Sequence, residues 1–213
     1  MINAVIFDLE GTLVDFQWRL ADAEKELRKV LEEFGFDPFL FSSDNYAQIW
    51  NKTVKIVSPE YLQIITERLS VIYDHYDQDA LSRWSLRQGA RDLLSFLQEK
   101  KIKSGLVTNV GKKAVKEVLF RFNLNPFFNH VVTRNDTKFM KPCGEGIKTC
   151  LKALEIKEDN ALFIGDSLSD IAASRKAGLK VAIVKGGESS PEKIMAALPD
   201  YFFISLEQAK ELF

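Results

Sequence analysis

A doubly wound α/β fold on a parallel sheet, with an all-α helical bundle inserted near its start, is what this sequence predicts. Three observations carry the prediction. Four short apolar runs each end abruptly in polar or glycine residues: 4–7 before Asp8, 106–107 before Thr108, 161–164 before Gly165 and 181–184 before Lys185. Runs without polar alternation are strands covered on both faces, as parallel sheets require. Helical patterns separate the later runs, and strands alternating with helices define the class. The stretch 15–85 alone breaks that rhythm, carrying only helical spacing.

In chain order, the first strand is 4–7. Phe16, Leu20, Ala23, Leu27, Val30, Leu31 and Phe34 then recur at helical spacing up to Gly35, which places Trp18 and Arg19 on a first inserted helix. Tyr46, Ile49, Trp50, Thr53, Val54 and Val57 mark a second. Ser58-Pro59 reads as an N-cap followed by proline at the first helical position, ahead of Leu62, Ile65, Leu69, Ile72 and Tyr76. Beyond the insertion, Leu93, Leu94, Phe96 and Leu97 predict a helix, 106–107 a strand, and Val115, Val118, Leu119 and Phe122 the next helix. Val131-Val132 is a weaker strand. A helix over 147–154, the strand 161–164, a helix over 171–177 closed by Gly178, and the strands 181–184 and 201–204 complete the series. The expected division is a core of 1–14 and 86–213 with a helical cap of 15–85.

At 213 residues the chain can bury a core and carry a sizeable insertion. Its 46% apolar content and net charge of -1, from 29 basic and 30 acidic residues, show no basic excess for gripping nucleic acid. The run 4–7 has no basic leader and is too short for a signal peptide or a bilayer span. The expectation is a cytoplasmic protein with neither membrane nor nucleic-acid partner. Cys143 and Cys150 lack metal-site spacing. Cys150 shares an apolar stripe with Ile147, Leu151 and Leu154 and reads as core; Cys143 follows Lys-Pro in a loop near the site, and no disulfide is expected. His75 and His130 have no partner pattern and read as structural.

The chemistry-bearing residues gather at strand ends. Asp8 and Glu10, two residues apart past a buried strand and next to Gly11, can face one cavity as nucleophile and proton carrier. Asp166 and Asp170, where another strand yields to a helix, offer the hard oxygens Mg²⁺ takes, although a helix cap would use the same residues. Thr108 and Asn109 end a third strand ahead of Gly111, a setting for a phosphoryl group at a helix start. Lys141 can supply the positive charge that carboxylates and phosphate need to coexist.

Taken together, Asp8-Leu9-Glu10-Gly11-Thr12, Thr108, Lys141 and Gly165-Asp166-Ser167-Leu168-Ser169-Asp170 resemble the haloacid dehalogenase superfamily. That family carries Asp-x-Asp-Gly-Thr, then Ser/Thr, then Lys, then Gly-Asp-x-x-x-Asp on a Rossmann-like core with a cap. Gly89-Ala90-Arg91-Asp92-Leu93-Leu94 looks like its phosphoglycolate phosphatase and β-phosphoglucomutase branch. The resemblance implies a Mg²⁺-dependent phosphatase of a small phosphorylated metabolite such as phosphoglycolate. Asp8 would carry the phosphoryl group, and Thr108, Asn109 and Lys141 would hold its oxygens. The metal would lie among Asp8, residue 10 through its carbonyl, Asp166 and Asp170. Trp18 and Arg19, with Lys52 and Arg83 behind them, are the cap residues expected nearest the organic part of the substrate. A sugar-phosphate mutase and a non-catalytic relative remain open alternatives.

One departure stands out. Most of that branch has Asp where this chain has Glu10, while enolase-phosphatases share Asp-x-Glu-Gly-Thr. An extra methylene shifts a carboxylate by roughly 1.5 Å, a displacement that can cost about a hundredfold in rate. Glu10 is expected to remain a working acid and base.

Overall fold

The computed structural model describes residues 2–213. Its strands are β1 (Ala4–Phe7), β2 (Lys103–Val107), β3 (His130–Val132), β4 (Ala161–Gly165), β5 (Lys180–Val184) and β6 (Tyr201–Phe203). They form one all-parallel sheet in the order β3-β2-β1-β4-β5-β6. Six apolar runs predicted six strands. The last stops one residue early, because the Ile204 side chain is exposed.

The lack of polar alternation has a direct cause. Val5 and Phe7 point into one apolar cluster and Ala4 and Ile6 into another, one on each face of the sheet. Helices α4 (Ala90–Glu99) and α5 (Lys112–Arg121) cover the first face. Helices α6 (Glu145–Leu154), α7 (Leu168–Ala177) and α8 (Pro191–Ala196) cover the second. Cys150 is buried in that second layer. Gly178 closes α7 with a left-handed φ of 81° that a side chain would strain.

Between β1 and α4 lie α1 (Leu20–Glu33), α2 (Tyr46–Ile56) and α3 (Pro59–Arg83), with a 3-10 turn over Pro38–Phe41. Leu27, Leu31, Leu69 and Tyr73 of this insertion join the same apolar cluster as Phe7 and Leu93. The insertion is therefore packed onto the α/β layer. Three expectations change here. The first inserted helix begins at Leu20, so Phe16 and Trp18 precede it and Arg19 is its N-cap residue. The cause is Glu10, whose carboxylate accepts the backbone N–H groups of Gln17 (2.8 Å) and Trp18 (2.7 Å) and holds them outside the helix. Ser58 and Pro59 occupy the predicted cap and first positions, but the Ser58 hydroxyl makes no capping bond. Finally, α3 continues to Arg83, about two turns past Tyr76.

Among the described residues, no helix is long and apolar enough to cross a membrane. The strand order runs outward from β1 to β3 and then restarts at β4 on the other side. Such a reversal opens a crevice beyond the carboxyl ends of the strands, where ligands bind in doubly wound sheets.

Candidate active site

Each of the strand-end segments delivers its side chains to that crevice. Asp8 follows β1, Thr108 follows β2, Asp166 follows β4, and Lys141 comes from the loop ahead of α6. The Lys141 Nζ lies 2.7 Å from Asp8 Oδ1 and 2.7 Å from Asp170 Oδ1, so one buried ammonium serves two buried carboxylates. Burial alone would lower the Lys141 pKa, but Asp170 and Asp8 outweigh it and hold the ammonium above the ordinary lysine range. Burial pushes the Asp8 carboxyl up to about 6, against the opposing pull of Lys141.

Asn109 fixes the lysine. Its side-chain oxygen accepts the Lys141 N–H at 2.9 Å and its amide donates to the Lys141 carbonyl at 3.1 Å and to the Tyr46 hydroxyl at 3.3 Å. The Asn109 side chain is thus occupied in positioning Lys141. Thr108 is buried against the cavity, its hydroxyl oxygen accepting Val110 N–H at 3.2 Å and its proton left to donate elsewhere.

The acidic cluster comprises Asp8, Asp166 and Asp170, each offering an oxygen within 4.8 Å of the others. Asp170 is already spent on protein partners: Oδ1 takes Lys141, and Oδ2 accepts from the backbone of Asp166 (3.1 Å) and Ser167 (3.0 Å) and the Ser167 hydroxyl (2.7 Å). The helix-cap reading of this segment is realised too, since Ser167 caps α7 by accepting from Asp170 N–H. Asp166 accepts the Thr12 hydroxyl at 2.9 Å and the Glu188 N–H at 2.7 Å, and lies so close to Gly11 and Gly187 that a Cβ at either would collide with its carboxylate. Asp8 and Asp166 are the carboxylates that would take a small hard cation, Asp166 through oxygens that also accept from Thr12 and Glu188, with Asp170 supporting from behind.

The Glu10 carboxylate does not join this cluster. Its Oε1 accepts three donors, the N–H groups of Gln17 and Trp18 and the Trp84 indole N–H at 2.9 Å. Burial still dominates those hydrogen bonds and pushes its pKa up to about 8. The Glu10 side chain instead lines the cavity beside the insertion, held there by Gln17, Trp18 and Trp84.

The cavity itself is small, with room for solvent of about 30 Å³, on the order of two water molecules. Trp18 lines it, together with Phe16, Leu20 and Tyr46. Arg19 lies in an outer groove, is largely exposed and pairs with Asp79 at 3.4 Å. Arg83 also pairs with Asp79 (2.6 Å), and Lys52 with Asp44 (3.0 Å); neither lines the cavity. Cys143 opens onto a separate groove beside Pro142.

Residues that spacing did not single out also matter. Asp77, buried on α3, accepts from the Trp18 indole N–H (3.1 Å), Gly111 N–H (2.8 Å) and Arg134 (2.8 Å), tying the insertion to the loop after β2. Glu188 lines the cavity from the loop after β5, and burial beside Asp170 and Asp8 pushes it up to about 7. Its signal was visible: Gly186-Gly187 ends a buried run as Gly11 and Gly165 do. Asp77 follows a helical pattern that ends at Tyr76, and Trp84 caps the end of α3; neither position announces a site.

This crevice, with a carboxylate, a lysine and an acidic pair converging at strand ends, defines a hydrolase of the doubly wound class. Residues 5–184 match the model of the haloacid dehalogenase-like hydrolase family, and the chain belongs to that family. A pyrophosphatase PpaX of Bacillus cereus is 27% identical over 94% of this chain and 91% of its own length. Solved structures of the same shape include a HAD-superfamily hydrolase of subfamily IA from Geobacter sulfurreducens, with a TM-score of 0.64 and 22% identity over 100% of both chains. Another, described as a predicted phosphoglycolate phosphatase from Haemophilus somnus, has a TM-score of 0.68 and 20% identity over 99% of this chain and 97% of its own.

Proposed function

We propose that this protein is a Mg²⁺-dependent phosphatase of small phosphomonoesters, acting in the cytoplasm through an aspartyl-phosphate on Asp8. The observation that carries the reading is the 2.7 Å contact of Lys141 with an Asp8 oxygen at the mouth of the crevice. An ammonium there steadies the nucleophile and neutralises an arriving phosphoryl oxygen, the electrostatic help on which phosphoryl transfer chiefly rests. Thr108 donates to a second phosphoryl oxygen. An Asp8 oxygen attacks phosphorus, the bond to the alcohol oxygen breaks, and protonated Glu10 gives that oxygen its proton. Glu10 then takes a proton from the water that attacks the aspartyl-phosphate, releasing phosphate and restoring Asp8. Mg²⁺, held by Asp8 and Asp166 with Asp170 in support, would neutralise further charge on the phosphoryl group.

The 15–85 insertion acts as the cap in this reading. With so little space beside the carboxylates, a phosphoester enters only as insertion side chains shift, and their return excludes water.

The test is phosphate release from p-nitrophenyl phosphate and a phosphomonoester panel, with Mg²⁺ and with EDTA. Turnover should disappear in EDTA and return with Mg²⁺. Failure to release phosphate from any monoester would end the proposal.

Glu10→Gln separates catalysis from stability. Turnover should fall about 10²–10⁴-fold, the ordinary worth of a general acid and base. Folding should respond in the opposite sense. A carboxyl whose pKa is raised by the fold stabilises it while protonated, and that stability is lost as pH climbs from the unfolded value through about 8. Glutamine keeps the accepting oxygen and has no proton to lose. Melting temperatures should therefore favour the variant by a margin that widens between about pH 5 and 9; a constant margin would mean Glu10 does not titrate in that window.

A further inference from the structure

The segment that carries Lys141 has no regular structure of its own: residues 138–143 lie between a 3-10 turn (Arg134–Asp136) and α6. Side chains from other elements therefore hold its backbone. Asn109, from the loop after β2, takes both polar groups of the Lys141 main chain. A second asparagine does the same one residue earlier. Asn51, on α2 of the insertion, accepts the Met140 N–H on Oδ1 at 2.8 Å and donates from Nδ2 to the Met140 carbonyl at 2.9 Å. Beside it, the Trp50 indole N–H donates to the Lys138 carbonyl at 3.1 Å.

A side-chain amide offers a donor and an acceptor to one residue's C=O and N–H at once, as a neighbouring strand would. Met140 is buried, so leaving its polar groups unpaired is costly. The helix that carries Asn51 also reaches Lys141 by a second route. The Tyr46 hydroxyl oxygen accepts from Asn109, the side chain that grips the Lys141 main chain. Both routes start on α2 and end on the peptide groups around Lys141. Asn51 itself does not line the cavity; it faces the outer groove beside Pro142 and Cys143. Its path to the reacting groups therefore runs through the lysine loop.

We propose, resting on the phosphatase reading, that Asn51 is a positioning residue for Lys141, so that the insertion helps to set the ammonium at the phosphoryl end of the site. That ammonium must meet Asp8 and Asp170 together, each at 2.7 Å, which leaves the Lys141 backbone little latitude. Loss of the Asn51 clamp lets the Met140–Lys141 peptide drift. A shift on the order of 1 Å at a catalytic group can cost about a hundredfold in rate. Lys141 meets charge that grows toward the transition state, so the loss falls on kcat more than on KM.

The experiment compares Asn51→Ala with wild type on the full chain, by Mg²⁺-supported hydrolysis of p-nitrophenyl phosphate and by amide hydrogen exchange. Kinetics are read well below the melting temperature of the variant, where a purely structural role leaves kcat in place. The expected result is a kcat lower by about tenfold to a hundredfold, with KM within about threefold of wild type. The Lys141 N–H, which Asn109 holds and Asn51 does not touch, should exchange about tenfold faster in the variant. Amides of β4 should keep their wild-type rates, which separates local loosening from global unfolding. An unchanged kcat overturns the inference, and so does a raised KM at constant kcat. A lower kcat with unchanged exchange at Lys141 overturns the route through the lysine. If wild type hydrolyses no monoester, the phosphatase reading is what fails, and exchange at Lys141 decides the positioning role alone. Asn51→Ser keeps each outcome readable should the alanine variant not fold.

Discussion

Asp8→Asn loses Mg²⁺-supported turnover on the order of a thousandfold or more, the scale seen when a nucleophile is removed, and keeps its fold. The two halves of that expectation have different causes. An amide cannot form the phosphoryl bond, and no neighbour can replace it: Asp170 is enclosed by Lys141, Ser167 and backbone N–H groups, and Asp166 is held by Thr12 and Glu188. Stability is spared because Lys141 retains Asp170 at 2.7 Å. An amide also carries no charge to desolvate, so the cost of burial that holds Asp8 up at about 6 is absent in the variant. Phosphate release and thermal melting read both halves. Wild type exposed briefly to substrate should carry hydroxylamine-sensitive phosphate that the variant lacks. Residual activity within tenfold of wild type would place the nucleophile elsewhere.

Arg134→Leu has the largest expected cost in stability, about 3–5 kcal/mol. Arg134 and Asp77 are each 3% exposed, and their 2.8 Å ion pair joins α3 to the turn after β3. The guanidinium also reaches Asp74 (2.5 Å) and the Asn109 carbonyl (3.1 Å) and lies 5.0 Å above the Tyr73 ring. Removing it strands a buried carboxylate with two N–H donors and no countercharge. Adding Asp77→Asn to the same chain should recover much of the loss, since the amide needs no countercharge. Urea midpoints of the single and double variants measure this directly. A single-variant change below about 1 kcal/mol would mean water reaches Asp77 and screens it as at a surface pair.

How far the site could be read along the chain depends on what kind of contact places each residue. Asp8, Thr108 and Asp166 stand where apolar runs stop, and a parallel sheet brings the ends of its strands together at one edge. Placement of those residues follows from local pattern plus topology, and Lys141 arrives beside them through a single loop. The helices flanking the sheet were legible for the same reason, since a buried face imposes a period that neighbouring residues record.

Glu10 shows where this stops. Its position two residues past Asp8 marks it as a partner, but its surroundings come from Trp84, 74 residues away, and from two backbone N–H groups that it pulls out of the predicted helix. Asp77 and Arg134, 57 residues apart, lie in an ordinary helix and an ordinary loop, and nothing near either one announces the other. The amino-acid order alone determined the sheet, the helices and the strand-end acids, because hydrophobic periodicity and chain direction act over a few residues. The tertiary structure decided which way Glu10 points, what countercharge Asp77 receives and that Glu188 faces the cavity. Those outcomes depend on burial and hydrogen bonds between segments that meet only when the insertion packs onto the sheet.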